Sequence, residues 1–175
     1  MTPTTLLLLS ALATAQPTNG ETVPPRHQLS LYTHSGATMY LSPARTQGGV
    51  GGGIGLRDTV DGRWLLQVDA SGLTALGSVL AVRVGAGVQR QGWWSPAALV
   101  NLTGLFGDRI DFLSSERLLP VQGPSLGLGL TLAPARFNLG RTQVSVMEVG
   151  LGVGTDRPEL GVLYGLTLLE VGVSL

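Results

Sequence analysis

Ser125-Leu-Gly-Leu-Gly-Leu-Thr-Leu-Ala133 is the stretch whose reading decides the fold. Leu126, Leu128, Leu130 and Leu132 occupy one parity, and Gly127, Gly129 and Thr131 the other. A helix would scatter those leucines around its circumference, whereas a strand places all four on one face. The glycines would also weaken a helix interior. A β-strand with one leucine face and one small-residue face is therefore expected here.

The same division recurs outward in both directions. Leu80, Val82 and Val84 oppose Ala81, Arg83 and Gly85, and Val100, Leu102 and Phe106 oppose Asn101 and Thr103. Val50, Ile54 and Leu56 oppose Gly51, Gly53 and Gly55. Met147, Val149, Leu151 and Val153 oppose Glu148 and three glycines, and Leu169, Val171, Val173 and Leu175 oppose Glu170, Gly172 and Ser174. Charged or glycine-bearing connections fall at 57–63, 90–92, 107–111, 140–141 and 155–159. These boundaries predict eight strands, roughly 28–41, 48–57, 63–70, 75–89, 94–106, 124–135, 141–154 and 160–175. The longest connection, 107–123, carries the apolar Phe112, Leu113, Leu118 and Leu119, so it is a candidate surface for an envelope protein partner. The phase of the last strand is ambiguous at Leu168-Leu169, a pattern that a bulge absorbs.

The whole chain has 175 residues, with eleven arginines and no lysine against eleven acids, no cysteine, 26 glycines and only 13% charged residues. One domain is expected at this length. Zero net charge and few charges argue against a nucleic-acid partner, which calls for a basic face. Without cysteine there is no disulfide framework, no cysteine-ligated zinc and no thiol nucleophile. No cofactor is expected. Leu6 to Ala15 is a short apolar run closed by Ala13-Thr14-Ala15, the arrangement of a signal peptide cleaved after residue 15. Residues 16–27, with three prolines, read as an exposed leader, and 28–175 as the β domain. Nothing after the leader offers the uninterrupted apolar length of a membrane-crossing helix.

Alternation fits two opposite architectures. A soluble sandwich or barrel buries its leucines, while a membrane barrel turns them to lipid. The face opposite the leucines is mostly glycine, alanine and isolated polar residues, which suits a narrow lumen better than a wetted sheet. Several runs also exceed the 9–11 tilted residues that cross a bilayer. An all-β, antiparallel up-and-down barrel of about eight strands follows, with membrane lipids as its surroundings. A soluble exported barrel that binds an apolar ligand is the rival reading.

In this pattern the chain resembles the small bacterial outer-membrane β-barrels, the OmpA/OmpX-type eight-stranded class, over residues 28–175. Its ending, Glu170-Val-Gly-Val-Ser-Leu175, is similar to the terminal strand of that class, with Leu175 where an aromatic is usual. The resemblance implies outer-membrane location and a structural or adhesive role, or at most a narrow pore. It also implies a membrane-interface aromatic belt, for which Trp64, Trp93, Trp94 and Tyr164 are the candidates, with Tyr32 and Tyr40 weighed beside them.

Three charges lie mid-strand on the small-residue face: Arg83, Glu148 and Glu170. An Arg at the midplane of a bilayer would cost about 2–4 kcal/mol if it faced lipid, so a lumen position and mutual ion pairing are expected. Arg83 would have to reach across the barrel to the two glutamates. Other motifs carry less. Gly123-Pro-Ser125-Leu-Gly127 matches a nucleophile elbow, but a strand rather than a helix follows it. Gly62-Arg-Trp64 resembles the lipocalin G-x-W signature but follows two strands instead of opening the first. Gly48 to Gly55 lacks the ending of a phosphate loop. His34, Asp69 and Ser71 form the only trio that lipid-modifying chemistry would use, and nothing in their spacing requires them to meet; Asp69-Ala-Ser71 reads as a turn.

Overall fold

The computed structural model describes residues 26–111, 118–119, 124–155 and 160–175. The signal peptide and nearly all of the leader expected from the sequence lie outside the described residues. Eleven strands run in chain order: β1 (His27–Leu41), β2 (Arg45–Val60), β3 (Trp64–Ala75), β4 (Val79–Gln89), β5 (Ala97–Gly107), β6 (Arg109–Asp111), β7 (Leu118–Leu119), β8 (Ser125–Ala133), β9 (Ala135–Leu139), β10 (Thr142–Thr155) and β11 (Leu160–Ser174). Every pairing is antiparallel, and β1 bonds both β2 and β11, so the sheet closes on itself. Eight long strands make the barrel, with β8 and β9 serving as one strand broken at Pro134, since both pair with β10. Closure leaves no edge in the wall and pairs its backbone groups internally. β6 and β7 lie off the barrel proper: β6 extends the rim by pairing with the start of β2, and β7 pairs with β6.

The wall is inverted relative to a soluble protein. Ile54, Leu66, Val84, Leu102, Leu128 and Leu151 are among many large apolar side chains facing outward, each more than half exposed. Buried inside are Tyr32, Arg57, Gln67, Asp69, Asn101, Glu148 and Glu170. A soluble barrel would do the opposite, so the leucine face is the outer face, and an apolar band of this extent matches lipid.

The sequence boundaries hold to within a few residues except at three places. β3 continues to Ala75 rather than stopping at 70, because Asp69 is held inside the barrel and Asp69-Ala-Ser71 stays extended. The reversal comes at 76–78, where Gly77 adopts φ 111°. β2 runs to Val60, which takes Arg57 out of the expected turn and into the interior. Asp61 and Gly62, with φ 54° and 64°, then make the two-residue hairpin that Asp-Gly favours.

A third departure is a phase slip that crosses three neighbouring strands at one level. Pro134 and Ala135 both sit on the outer side between the inward Ala133 and Arg136. Val146 and Met147 are both exposed between the inward Ser145 and Glu148. Leu168 and Leu169 are both exposed between the inward Thr167 and Glu170, and the β1–β11 register shifts there. Met147 carries the φ of 57° that accommodates its extra residue. The register rows align these slips, with Val146 opposite Ala135 on one side and Leu169 on the other. The bulge expected at Leu168-Leu169 is thus one third of a larger feature.

Inside, glycines make room for the two buried tyrosines. A Cβ at Gly55 would collide with the Cζ and hydroxyl of Tyr32, and Cβ atoms at Gly154 or Gly161 would press on the Tyr40 ring. Gly55→Leu should therefore displace Tyr32 and lower unfolding stability by about 1–3 kcal/mol. Urea titration of the protein in lipid vesicles checks this, with Gly72→Ala as the control, since nothing stands where its Cβ would go.

Candidate functional site

The lumen holds the concentrated chemistry of the chain, and it is arranged as two joined clusters. The first is centred on Arg57 of β2. All five of its guanidinium N–H bonds are used. Nη1 and Nη2 donate to the two carboxylate oxygens of Glu170 at 2.6 and 2.8 Å. Nε and Nη2 donate to Gln67 Oε1, and Nη1 also donates to Gln143 Oε1 at 2.7 Å. The fork-to-fork geometry is the strong form of an arginine–carboxylate contact. Beside it, Arg136 Nη2 donates to Glu148 Oε1 at 2.6 Å and lies 3.8 Å from Glu170 Oε1. The phase slip brings these groups together. Continuing the inward parity of Ser125–Ala133 would turn Arg136 outward, and continuing that of Leu163 and Thr167 would do the same to Glu170. With the slip, Arg136, Ser145 and Glu170 fall in one register row, and both charged side chains are about 1% exposed or less.

The second cluster is centred on Asp69 of β3. Arg83, directly opposite on β4, donates through Nε to Asp69 Oδ2 at 2.9 Å. Tyr32 O–H donates to the same oxygen at 3.0 Å, and His34 Nε2 lies 3.5 Å from Oδ1. Tyr32 joins the clusters, because the Arg57 guanidinium also sits over its ring at 4.5 Å from the centroid. Three arginines thus face three carboxylates in one connected network.

Arg83, Glu148 and Glu170 all face the lumen, but Arg83 does not reach the glutamates. Its carboxylate is on the adjacent strand, a shorter reach than the barrel crossing expected from the sequence. The glutamates instead take Arg57 and Arg136, which sequence reasoning left in a turn and at a strand end. The usable signal for Arg57 was its parity: it continues the inward row of Gly51, Gly53 and Gly55. Arg136 had no such signal, since its orientation depends on the slip.

Above the network lies a cavity of about 40 Å³ lined in part by His34, Asp69, Ser71, Arg83, Asn101 and Thr131. That space holds about three water molecules. Asn101 Nδ2 donates to Thr131 Oγ1 at 2.8 Å on its wall. His34, Asp69 and Ser71 therefore share one interior chamber and not a rim. Asp69 is committed to Tyr32 and Arg83. Beyond the chamber, Tyr40, Leu73, Val79, Ala81, Leu105 and Leu163 form an apolar cluster that fills the barrel toward the end bearing the long connection. Ser125 of the elbow-like motif opens β8 and donates to Gln47 Oε1 at 2.7 Å, and Gln47 Nε2 donates to the Gly107 carbonyl. These bonds tie the start of that connection across the lumen.

The expected aromatics are placed as follows. Trp64, Trp93 and Trp94 are exposed at the end that carries both termini of the barrel, while Tyr164 is exposed on β11 toward the opposite end. Tyr32 and Tyr40 are inside.

No family model matches the chain, and no curated protein matches it. Solved structures do. Neisserial surface protein A superposes with a TM-score of 0.53 at 10% identity, covering 87% of this chain and 100% of its own. Ail, the attachment invasion locus protein of Yersinia pestis, solved in complex with the heparin analogue sucrose octasulfate, covers 86% of this chain and 99% of its own at 13% identity, with a TM-score of 0.48. At these identities the likeness is one of fold. The chain has the fold of the small eight-stranded outer-membrane β-barrels.

Removing one partner of a buried ion pair costs about 3–5 kcal/mol, whereas replacing both partners with apolar groups is far milder. Arg57→Met and Glu170→Leu should each lower vesicle-embedded stability by that order. The double variant should recover most of the loss in the same urea titration.

Proposed function

We propose that this protein is a closed, cofactor-free barrel of a bacterial outer membrane with a structural or adhesive role, exported by its first fifteen residues. The observation that carries the reading is the filled lumen inside a leucine-faced wall. A charge-balanced network, a chamber of about 40 Å³ and an apolar cluster succeed one another along the barrel. Eight strands leave an interior only wide enough for side chains or one small ligand, and here side chains occupy it.

The topology supports an orientation. Both ends of the barrel chain and the connections 61–63, 90–96 and 140–141 lie at one rim. Short periplasmic turns are the rule in this class, so that rim is read as periplasmic. The connection 108–124 emerges at the other rim, where β6 pairs with β2. An adhesive role, or contact with an envelope protein partner, falls to that outer rim. His34, Asp69 and Ser71 serve the interior network in this reading, since Asp69 is committed to Tyr32 and Arg83.

Purified protein reconstituted in a planar bilayer should give a quiet baseline. Steady large conductance from the wild-type barrel would overturn the closed-lumen reading. Fractionation tests the membrane assignment separately: the protein is expected to require detergent and to migrate differently on gels before and after heating, and a detergent-free soluble monomer would sink it.

A further inference from the structure

The rim read as periplasmic carries a second feature that the lumen does not explain. Arg63 lies over the Trp64 ring at 5.6 Å, and Arg90 over the Trp94 ring at 5.2 Å. Trp93 stacks on Phe137 with centroids 5.8 Å apart. Trp94 is fixed by its indole N–H, which donates to the Pro134 carbonyl at 2.9 Å. Trp64, Trp93 and Trp94 are 54%, 71% and 41% exposed, so these rings are on the outer surface and not in a core. They follow one arc of the wall from β3 to β9.

The arc is also basic. Arg26, Arg63, Arg90 and Arg141 lie at this rim against Asp58 and Asp61. His27 Nδ1 lies 2.7 Å from Asp58 Oδ2, and Asp61 Oδ1 accepts the Arg26 backbone N–H. Among the described residues the opposite rim is balanced, with Arg45 and Arg109 against Asp108 and Asp111. Among the described residues the cationic excess thus lies at the tryptophan-bearing rim.

We propose that this arc is a binding surface for anionic phospholipid headgroups. A tryptophan at the wall settles where hydrocarbon gives way to headgroups, which sets the depth. An arginine whose guanidinium carbon lies 5.2 or 5.6 Å from that ring centroid is held near the same depth. A guanidinium matches a phosphate diester in two-point geometry. The arc would thus gather acidic lipids around the barrel and favour one leaflet over the other. This inference rests on the membrane reading above.

The chain supplies its own probe, because its three tryptophans all lie on the arc. The full-length protein is folded into phosphatidylcholine vesicles containing a trace of dansyl-labelled phosphatidylglycerol or, in parallel, dansyl-labelled phosphatidylcholine. Energy transfer from tryptophan to dansyl then reports the lipid next to the arc. An enrichment of the anionic label of roughly fivefold per engaged arginine is expected. It should fall away in Arg63→Gln/Arg90→Gln and persist in Arg45→Gln at the other rim. In the native protein it should also fall away at high ionic strength, a readout that does not depend on the variants folding. Equal transfer to both labels would overturn the proposal while leaving the membrane reading intact. Enrichment that survives the double substitution would overturn the assignment to these arginines. No transfer to either lipid would sink the membrane reading, and this proposal with it.

Discussion

Charge cannot face hydrocarbon, and in a wall of alternating residues that constraint fixes the orientation of every strand. Six ionisable residues deep in the wall, Arg57, Asp69, Arg83, Arg136, Glu148 and Glu170, all turn inward, and the large apolar residues of the same strands turn outward. On β2, β3 and β4 one unbroken parity achieves this. On β8–β9, β10 and β11 it does not, because the leucine-bearing half and the charged half of each are out of phase. The aligned slips at Pro134-Ala135, Val146-Met147 and Leu168-Leu169 resolve the conflict in all three strands at once. A slip in one strand alone would break the ladder with its neighbours. Running side by side, the three keep their register, and the mismatch is passed to the β1–β11 seam and to the Trp94–Phe137 bridge.

The interior follows from the same constraint combined with size. Eight strands enclose little space, so long polar side chains fit only where their neighbours are small. Glycine on the inner face is what admits Tyr32 across Gly55 and Tyr40 across Gly154 and Gly161. Tyr32 then does two things: its ring lies under the Arg57 guanidinium, and its hydroxyl satisfies Asp69. The high glycine count and the small number of bulky lumen residues are therefore two sides of one packing solution.

Much of the fold was legible because parity is a local property. Leu126 to Leu132 announce a strand without reference to any other residue, and the opposing glycines already separate a lumen from a wetted surface. Arg83, Glu148 and Glu170 were legible for the same reason. Their partners were not. Pairing depends on which strands are adjacent and on where phase slips, and neither is written in a single segment. Asp69 falls inside the expected strand 63–70, yet Asp-Ala-Ser is turn-like in isolation; the strand runs on because Arg83 opposite holds Asp69 inside. Arg57 stands beside a genuine Asp-Gly turn, and local pattern alone places it there. Arg136 follows a proline at a strand end, where local pattern favours an exit, yet β9 continues because β10 offers it a ladder.

The two ends of the barrel differ in a way that bears on where its function lies. At the end holding the long connection, Tyr40, Leu73, Val79, Leu105 and Leu163 pack together inside the lumen. Beneath them the polar chamber is small, and beneath that every donor of Arg57 is occupied. Opening a passage would mean uncovering charges whose partners are several and shared, and no single residue movement releases them: Glu170 would still face Arg136 if Arg57 left, and Asp69 would still hold Arg83 if Tyr32 swung away. A network with that redundancy resists gating. In the proposed reading the interior holds the wall together, and contacts with other molecules fall to the outer wall and the rims.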